Sequence, residues 1–137
     1  MIKEAIFSLK GYKFSHVMMN MDAISGNTLN LDIKPKGRFV REKGEFVLNF
    51  LFSADSGTDE SSRVIEVNCE ALYSFKEIKD VGEIPSYFYS NSIAILFPYV
   101  RAFVSTLSLQ ACYNPVILPT MNLSTLADEL KRNVTIE

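Results

Sequence analysis

Residues 91–126, NSIAILFPYVRAFVSTLSLQACYNPVILPTMNLSTL, form the stretch that decides the fold. Apolar residues recur at 93, 96, 97, 100, 104 and 107, which is one face of an amphipathic helix. A second apolar stripe runs through 95, 99, 103 and 106, and from Ile84 to Ala127 the only formal charge is Arg101. One sheet covers only one side of such a helix, so its other side is expected to contact a second subunit or a ligand. The alternative is a poorly solvated monomeric helix.

The subunit contact is predicted on the second stripe and its surroundings. A lone charge on an apolar helix is typical of an ion pair or of a side chain that extends to the rim of an interface. The predicted oligomer interface consists of Ile95, Tyr99, Arg101, Phe103 and Thr106.

Prolines divide this stretch into segments. Pro98 removes one internal hydrogen bond, so it either belongs to the opening turn of the helix or bends it. After Cys112, Pro115 and Pro119 favour an extended segment. NLSTLADELKRN then predicts a short helix, capped by Asn122 or Ser124 and ending with basic residues that suit a helix C-terminus.

The first half of the chain shows strand patterns. TLNLDIKP (28–35) and RVIEVNCEALYSF (63–75) alternate apolar and polar residues, and EFVLNFLFS (45–53) is apolar on both faces, which favours a central strand. In IFSLKGYKF (6–14) the alternation shifts phase at Gly11, which indicates a bulge or a kink at the glycine. MDAISGN (21–27) has no such pattern and is expected to be a crossover.

The order of these segments predicts the fold class. Loops with glycine and charged residues join the later strands, as expected for antiparallel hairpins. We therefore expect an α+β fold, a four-stranded antiparallel sheet with two C-terminal helices packed on one face. With 137 residues, the chain 1–137 fits one domain.

Composition excludes several classes of protein. The net charge of −2 gives no general attraction to nucleic acid or to acidic membranes. No apolar run is long enough for a signal peptide, and 93–104 is too short and interrupted for a membrane span, so a cytoplasmic location without membrane insertion is expected. Cys69 and Cys112 lie in apolar surroundings and are predicted to be buried free thiols.

Catalytic and cofactor motifs are not recognisable. His16 is the only histidine, and no cluster of His, Cys, Asp and Glu has the spacing of metal ligands. No glycine-rich phosphate loop occurs, and the acids of DSGTDE (55–60) lack the order of a calcium loop. The sequence therefore predicts a protein that is not an enzyme and that needs neither a metal nor a cofactor.

Adaptable apolar surface is what the chain has in excess. Methionine suits surfaces that accept many shapes, although core filling is the alternative role for at least one of the three in VMMNMD (17–22). YNPVILP (113–119) places apolar residues on a proline-stiffened loop, which needs a cover or a bound polypeptide. These patterns predict peptide binding by Met18, Met19, Met21, Tyr113, Val116, Ile117 and Leu118.

The stretch 91–130 closely resembles the corresponding part of SecB-type protein-export chaperones. That family has a helix containing ILFPYAR, then an apolar loop with proline, then a short helix opening with Asn; here the heptapeptide is Ile95 to Arg101 with Val100 in place of alanine. The resemblance implies a tetramer, a dimer of dimers with the long helices in the interface. It also implies an ATP-independent holdase that binds non-native preproteins for export.

The family's client groove lies between the crossover and the loop that joins the helices. By resemblance these are residues 20–28 and 112–121 of this chain, which adds Ile24 and Met121 to the predicted binding residues. The crossover here is short and lacks the proline and aromatic residues common in the family.

Contact with the SecA translocase ATPase is less clearly implied. Family members use acidic residues on the exposed sheet face, and two of those positions fall at His16 and Asn20 here. Glu66 beside Val64 is retained, which makes these two the candidate translocase contact. The acidic C-terminal tail typical of the family is not seen in KRNVTIE (131–137). SecB-like relatives dedicated to one client, such as an antitoxin, keep the fold without that handover.

Three hypotheses follow. The first is a general holdase for unfolded chains, and the second is a dedicated chaperone of a single client. The third is a structural domain that uses its apolar helix only for oligomerisation.

Overall fold

The computed structural model describes residues 6–26, 28–57, 60–111, 114, 116–118 and 124–137. Three short 3-10 turns, Met21–Ala23, Glu60–Ser62 and Val81–Glu83, lie between the larger elements. These larger elements are, in chain order, β1 (Phe7–Met19), β2 (Asn30–Val40), β3 (Glu45–Asp55), β4 (Arg63–Phe75), α1 (Tyr87–Gln110), α2 (Ser124–Arg132) and β5 (Val134–Ile136).

The strands form one sheet in the order β1-β4-β3-β2-β5. The pairs β1–β4, β4–β3 and β3–β2 are antiparallel, and β3 is central as predicted. Although β1 and β2 are consecutive in sequence, β4 and β3 lie between them, so the segment between β1 and β2 crosses the sheet as expected.

The prediction of a four-stranded antiparallel sheet was wrong. The sheet has five strands and is mixed, because β5 pairs in parallel with residues 37–39 of β2. The backbone N–H of Glu137 donates to the carbonyl of Phe39 at 2.8 Å, and Arg41 donates back to Glu137 at 2.9 Å. Three residues are too few to show an alternating pattern in the sequence. The strand follows directly after α2, which places it beside the free edge of β2.

The cross-strand register separates the two sheet faces. Phe46 pairs with Tyr73 and Phe50 pairs with Cys69, so their side chains project from the same face. The predicted alternation of β4 is confirmed: Ile65, Val67, Cys69, Ala71, Tyr73 and Phe75 are all buried. The register of β1 shifts between Leu9 and Gly11, which confirms the bulge, and shifts again between Phe14 and His16.

Helix α1 covers the apolar face of the sheet. The predicted first stripe is confirmed at 93, 96, 97, 100 and 104, all buried, whereas residue 107 is only half-buried. Phe88 packs edge-on against Phe7 and Phe46, with ring centroids 4.8 and 4.9 Å apart. The Tyr73 hydroxyl donates to the Ser92 carbonyl at 2.6 Å, so helix and sheet are tied by a buried hydrogen bond.

Helix α1 contains a proline on its exposed side. Pro98 lies inside the helix, not in its opening turn, and is exposed, so water can reach the carbonyl that the proline leaves without a donor.

The helix is also long and apolar enough to cross a membrane by length and composition alone, with a mean hydropathy of 1.5. Nine of its 24 residues are buried within the chain, so part of this apolar surface packs in the core of the domain.

Helix α2 completes the helical layer. Leu130 is fully buried in the shared core, and the Lys131 ammonium lies 5.9 Å from the centre of the Tyr89 ring. Lys131 and Arg132 occupy the last turn as predicted. The predicted cap Asn122 lies outside the described residues.

Candidate functional site

An open groove of about 470 Å³ lies between the crossover and the segment that follows α1. Its lining brings together residues almost a hundred positions apart in the chain: Met21, Asp22, Ile24, Asn114 and Val116. Met21 is only 8% exposed and anchors one wall in the core, whereas Ile24 is 39% exposed and presents apolar surface to the opening. We call this feature the crossover groove.

The crossover wall is fixed by hydrogen bonds to the sheet. The backbone N–H of Asn20 donates to the carbonyl of Val64 at 2.7 Å, and Ile24 donates to Met21 at 3.2 Å in a single 3-10 turn. The Ser56 hydroxyl, at the end of β3, donates to the carbonyl of Ala23. These bonds fix the short crossover, whose residues 20–28 include no proline.

The opposite wall is fastened to α1 by two serines. The Ser105 hydroxyl donates to the Val116 carbonyl at 2.8 Å, and the Val116 N–H donates to the Ser108 hydroxyl at 2.8 Å. Ser108 donates in turn to the Ser105 carbonyl at 3.0 Å. Both backbone polar groups of Val116 are thus satisfied by side chains one helical turn apart, and we call this arrangement the serine clamp.

The clamp determines which side chains of the following segment face outward. Leu118 is fully buried, whereas Ile117 is 65% exposed beside the groove. The prediction that the Leu118 side chain is available to a client is therefore corrected, because it fills the core and holds the segment down. A Ser substitution at Leu118 would test stability, not binding.

The other predicted binding residues do not all lie in one place. Met21, Ile24 and Val116 come together in the crossover groove. Met18 and Met19 are half-buried on β1 and face opposite sides of the sheet, Met18 beside Glu66 and Met19 beside Ile65, and neither lines the groove. Tyr113 and Met121 lie outside the described residues.

Sequence reasoning did not single out four residues that shape the site. Asp22 and Asn114 line the groove as polar groups and lie within the predicted ranges 20–28 and 112–121. Ser105 and Ser108 lie on the helix, where a serine spacing of three is unremarkable. Only the folded position of Val116 shows that these two hydroxyls bind its backbone carbonyl and N–H.

Removing the clamp is expected to loosen the outer wall. In Ser105→Ala/Ser108→Ala the Val116 N–H loses its acceptor, which is worth about 1 kcal/mol, so its amide should exchange about fivefold faster. Hydrogen exchange of the segment 114–118, followed by mass spectrometry, measures this. Ser90→Ala is the matched control, because among the described residues Ser90 bonds the Tyr87 carbonyl of its own helix and nothing outside it. Equal exchange in all three proteins would contradict the role of the clamp.

A second apolar surface lies on the outer side of α1. Ile95 and Tyr99 are 40% and 44% exposed, Arg101 and Thr106 are exposed, and Phe103 is half-buried. Two residues of β1 extend it.

The β1 residues that extend this surface are aromatic. The Tyr12 ring lies 4.6 Å from that of Tyr99, and Phe14 stacks on Phe103 at 3.8 Å. These side chains form one continuous surface of helix and strand residues, which we call the α1–β1 patch. No ion-pair partner for Arg101 occurs among the described residues.

Of the two predicted translocase-contact residues, one is buried and the other is partly exposed. Val64 is fully buried beside the crossover, so its side chain is not available at the surface. Glu66 is partly exposed, but it accepts hydrogen bonds from Arg63 and lies 3.0 Å from Nε2 of His16. A row of side-chain contacts thus runs from Asp55 through Arg63 and Glu66 to His16 across three strands.

Burial and hydrogen bonding shift the pKa values of several groups among the described residues. Burial raises the pKa of the Cys69 thiol to about 11, so the thiol is protonated and unreactive at neutral pH. Burial also raises the pKa values of Tyr73 and Tyr89. Hydrogen bonding to Asp55 raises the pKa of Arg63. Within the described part of the chain, no group of three or more His, Cys, Asp and Glu is placed to hold a metal ion.

Together these features define an α+β domain whose helices cover one sheet face and whose crossover forms an apolar-walled groove. The family model described as preprotein translocase subunit SecB matches residues 15–133. The chain belongs to the SecB family.

A relative of moderate identity covers most of this chain. An uncharacterized protein of Methanocaldococcus jannaschii is 32% identical over 98 residues, which are 70% of this chain and 63% of that protein. The chain therefore spans less than two thirds of that relative's length.

Two solved structures share the fold at low sequence identity. A SecB-like chaperone of Mycobacterium tuberculosis, in complex with a ChAD peptide from the HigA1 antitoxin, is 15% identical with a TM-score of 0.67, over 85% of this chain and 91% of that chain. A protein of unknown function from Streptococcus agalactiae is 12% identical with a TM-score of 0.51, over 83% of this chain and 97% of the other.

Proposed function

We propose that this protein is an ATP-independent molecular chaperone, a holdase, that binds non-native polypeptides in the crossover groove. The observation that carries the proposal is the convergence of Met21, Ile24 and Val116 on one open groove of about 470 Å³. Membership of the SecB family supports it. Holding a client requires no bond to be made or broken, so the proposed mechanism uses no catalytic residue and no cofactor.

Binding strength in this mechanism comes from apolar burial repeated at several grooves. Each Å² of apolar surface removed from water contributes roughly 25 cal/mol, so one groove filled by one or two side chains binds weakly. A long unfolded client that reaches several grooves of an oligomer gains affinity through effective concentration. Folded proteins do not expose such segments, which makes the binding selective for non-native chains.

The α1–β1 patch is the proposed subunit contact. It is contiguous, largely apolar and aromatic, and such residues are enriched in the cores of interfaces. We propose a homo-oligomer, a tetramer built as a dimer of dimers, in which each subunit is a single domain in the cytoplasm. If the patch served only to assemble subunits, the protein would be the structural domain of the third hypothesis.

A dedicated chaperone of one client is the second candidate function. Its support is the fold shared with the Mycobacterium tuberculosis SecB-like chaperone whose structure contains an antitoxin peptide. His16 and Asn20 at positions that are acidic in export chaperones, and the engagement of Glu66 by Arg63 and His16, favour it further. Preprotein export through SecA requires an acidic docking face, which is reduced here.

Suppression of aggregation tests the proposal directly. At one oligomer per client chain, the protein is expected to reduce light scattering of a chemically denatured substrate diluted into buffer by at least about half, without ATP. Serum albumin at equal mass serves as the control for crowding and nonspecific adsorption. Unchanged scattering with several unrelated substrates would exclude a general holdase, and suppression limited to one genomically neighbouring protein would favour the dedicated chaperone.

A further inference from the structure

The sheet face opposite α1 carries a polar trough that the proposed function does not use. The trough measures about 590 Å³ and draws residues from the four long strands. It is lined by His16, Lys34, Lys36, Asn49, Leu51 and Asn68. We call it the lysine trough.

The antiparallel register explains why these residues meet. His16 pairs with Asn68, Asn68 with Leu51, and Leu51 with Lys34, so these four form one row across β1, β4, β3 and β2. In the next row, Asn49 pairs with Lys36. Residues that are directly paired share a face, so all six side chains project away from α1.

The donors of the trough are incompletely used within the chain. Lys34 lies 3.9 Å from the exposed carboxylate of Asp32, a pair of little energetic value, and Lys36 has no ion-pair partner among the described residues. The Asn49 Oδ1 accepts a hydrogen bond from Asn68 at 3.2 Å, which leaves the Asn49 Nδ2 without an acceptor in the described part of the chain. The β2 side of the trough thus offers two ammonium groups and an amide donor.

The acidic groups nearby do not fully cancel this charge. Glu66 is bound by both Arg63 and His16 at the β1–β4 side. Glu70 pairs in register with Asn49 and with Lys13 of β1, so a cation flanks it on the side away from β2. Asp32 lies on β2 beside Lys34 and offsets one of the two lysine charges. The charge of Lys36 therefore remains at the β2 side, although the whole chain has a net charge of −2.

We propose that the lysine trough docks an acidic, extended segment of a partner polypeptide. Lys34 and Lys36 are two positions apart on one strand, so their Cα atoms are about 6.6 Å apart. An extended peptide with acidic residues at alternate positions has the same spacing and directs both carboxylates to one side. Its backbone carbonyl accepts from the Asn49 amide, and a small apolar side chain rests on Leu51.

Nucleic acid fits the trough less well. Single strands bind through aromatic stacking as well as phosphate contacts. Among the described residues no Phe, Tyr or Trp lines the trough, and the imidazole of His16 is hydrogen-bonded to Glu66. Two lysines on a chain of net negative charge give little general attraction for a polyanion. An oligonucleotide is therefore the comparison ligand in the test.

The test uses a fluorescein-labelled octapeptide of alternating Glu and Ser, with alternating Gln and Ser as the neutral peptide, in fluorescence anisotropy at low salt. Lys34→Glu/Lys36→Glu is expected to weaken binding of the acidic peptide at least about tenfold, since two attractions become repulsions. Lys43→Glu/Lys79→Glu is the matched control, with the same change of net charge at exposed residues outside the trough. Circular dichroism and sedimentation check that both variants keep fold and mass.

The control is expected to bind within about twofold of the wild type, and the neutral peptide is expected not to bind. The proposal is overturned if the acidic peptide does not bind, if both double variants lose affinity equally, or if an eight-nucleotide single strand binds more tightly than the peptide. An apolar client peptide that fills the crossover groove should not displace the acidic peptide. Failure of the holdase assay leaves these expectations unchanged.

Discussion

Ile24→Asp/Val116→Asp is expected to abolish client holding, with the dissociation constant for an unfolded polypeptide raised at least about a hundredfold. The two residues form opposite walls of the crossover groove. Each loses apolar contact worth about 1.5–3 kcal/mol when fully covered, and each new carboxylate must lose water when a client binds. The measurement is titration of permanently unfolded, reduced and carboxymethylated α-lactalbumin, followed by anisotropy.

The control for this variant is Ile6→Asp/Ile136→Asp. These two isoleucines are 40% and 49% exposed, similar to Ile24 at 39%, and neither lines the groove. The single variant Ile24→Asp, expected to weaken binding about tenfold, covers the case in which the half-buried Val116 does not tolerate a charge. A folded Ile24→Asp/Val116→Asp protein that still suppresses aggregation would show that the groove is not the client site.

Ile95→Glu/Tyr99→Glu is expected to dissociate the oligomer into folded monomers. Both side chains are near the centre of the α1–β1 patch and are 40% and 44% exposed in the single chain, so the monomer itself loses little. In the assembly each subunit would bury two carboxylates without partners, which raises the dissociation constant by at least about a thousandfold. Sedimentation velocity over a hundredfold range of concentration measures the change in mass.

The matched control is Ile24→Glu/Ile136→Glu, which adds the same charge at similarly exposed isoleucines outside the patch. This protein should keep the oligomer while losing client affinity. The Ile24→Glu/Ile136→Glu protein therefore separates loss of client binding from loss of assembly. A wild-type protein that sediments as a monomer at all concentrations would contradict the assignment of the patch as a subunit contact.

Local patterns were enough to predict much of the fold. The alternation in β4, from Ile65 to Phe75, and the stripe in α1, from Ile93 to Val104, appear in the structure as buried faces. Such patterns can be predicted from the sequence because a side chain's direction follows from its position in a regular element. The bulge at Gly11 was also predictable, since the alternation changes phase there.

The candidate site was predictable only in outline. The ranges 20–28 and 112–121 contain the groove lining, but Leu118 was assigned to the client and is a core residue. In an irregular segment no period tells which side chain points inward. The choice between Ile117 and Leu118 is made by the hydrogen bonds of Val116 to Ser105 and Ser108, eleven and eight residues away.

The sequence by itself determined the first four strands, the long helix with two apolar faces, and the SecB-like character of residues 91–130, because each depends on neighbours within a few turns. Only the tertiary structure decided the fifth strand, the burial of Leu118 and Val64, and the lysine trough. These depend on contacts such as Gly37 with Val134 and His16 with Asn68, far apart in the chain. Whether a side chain is core, groove or docking surface is set by what the fold places beside it.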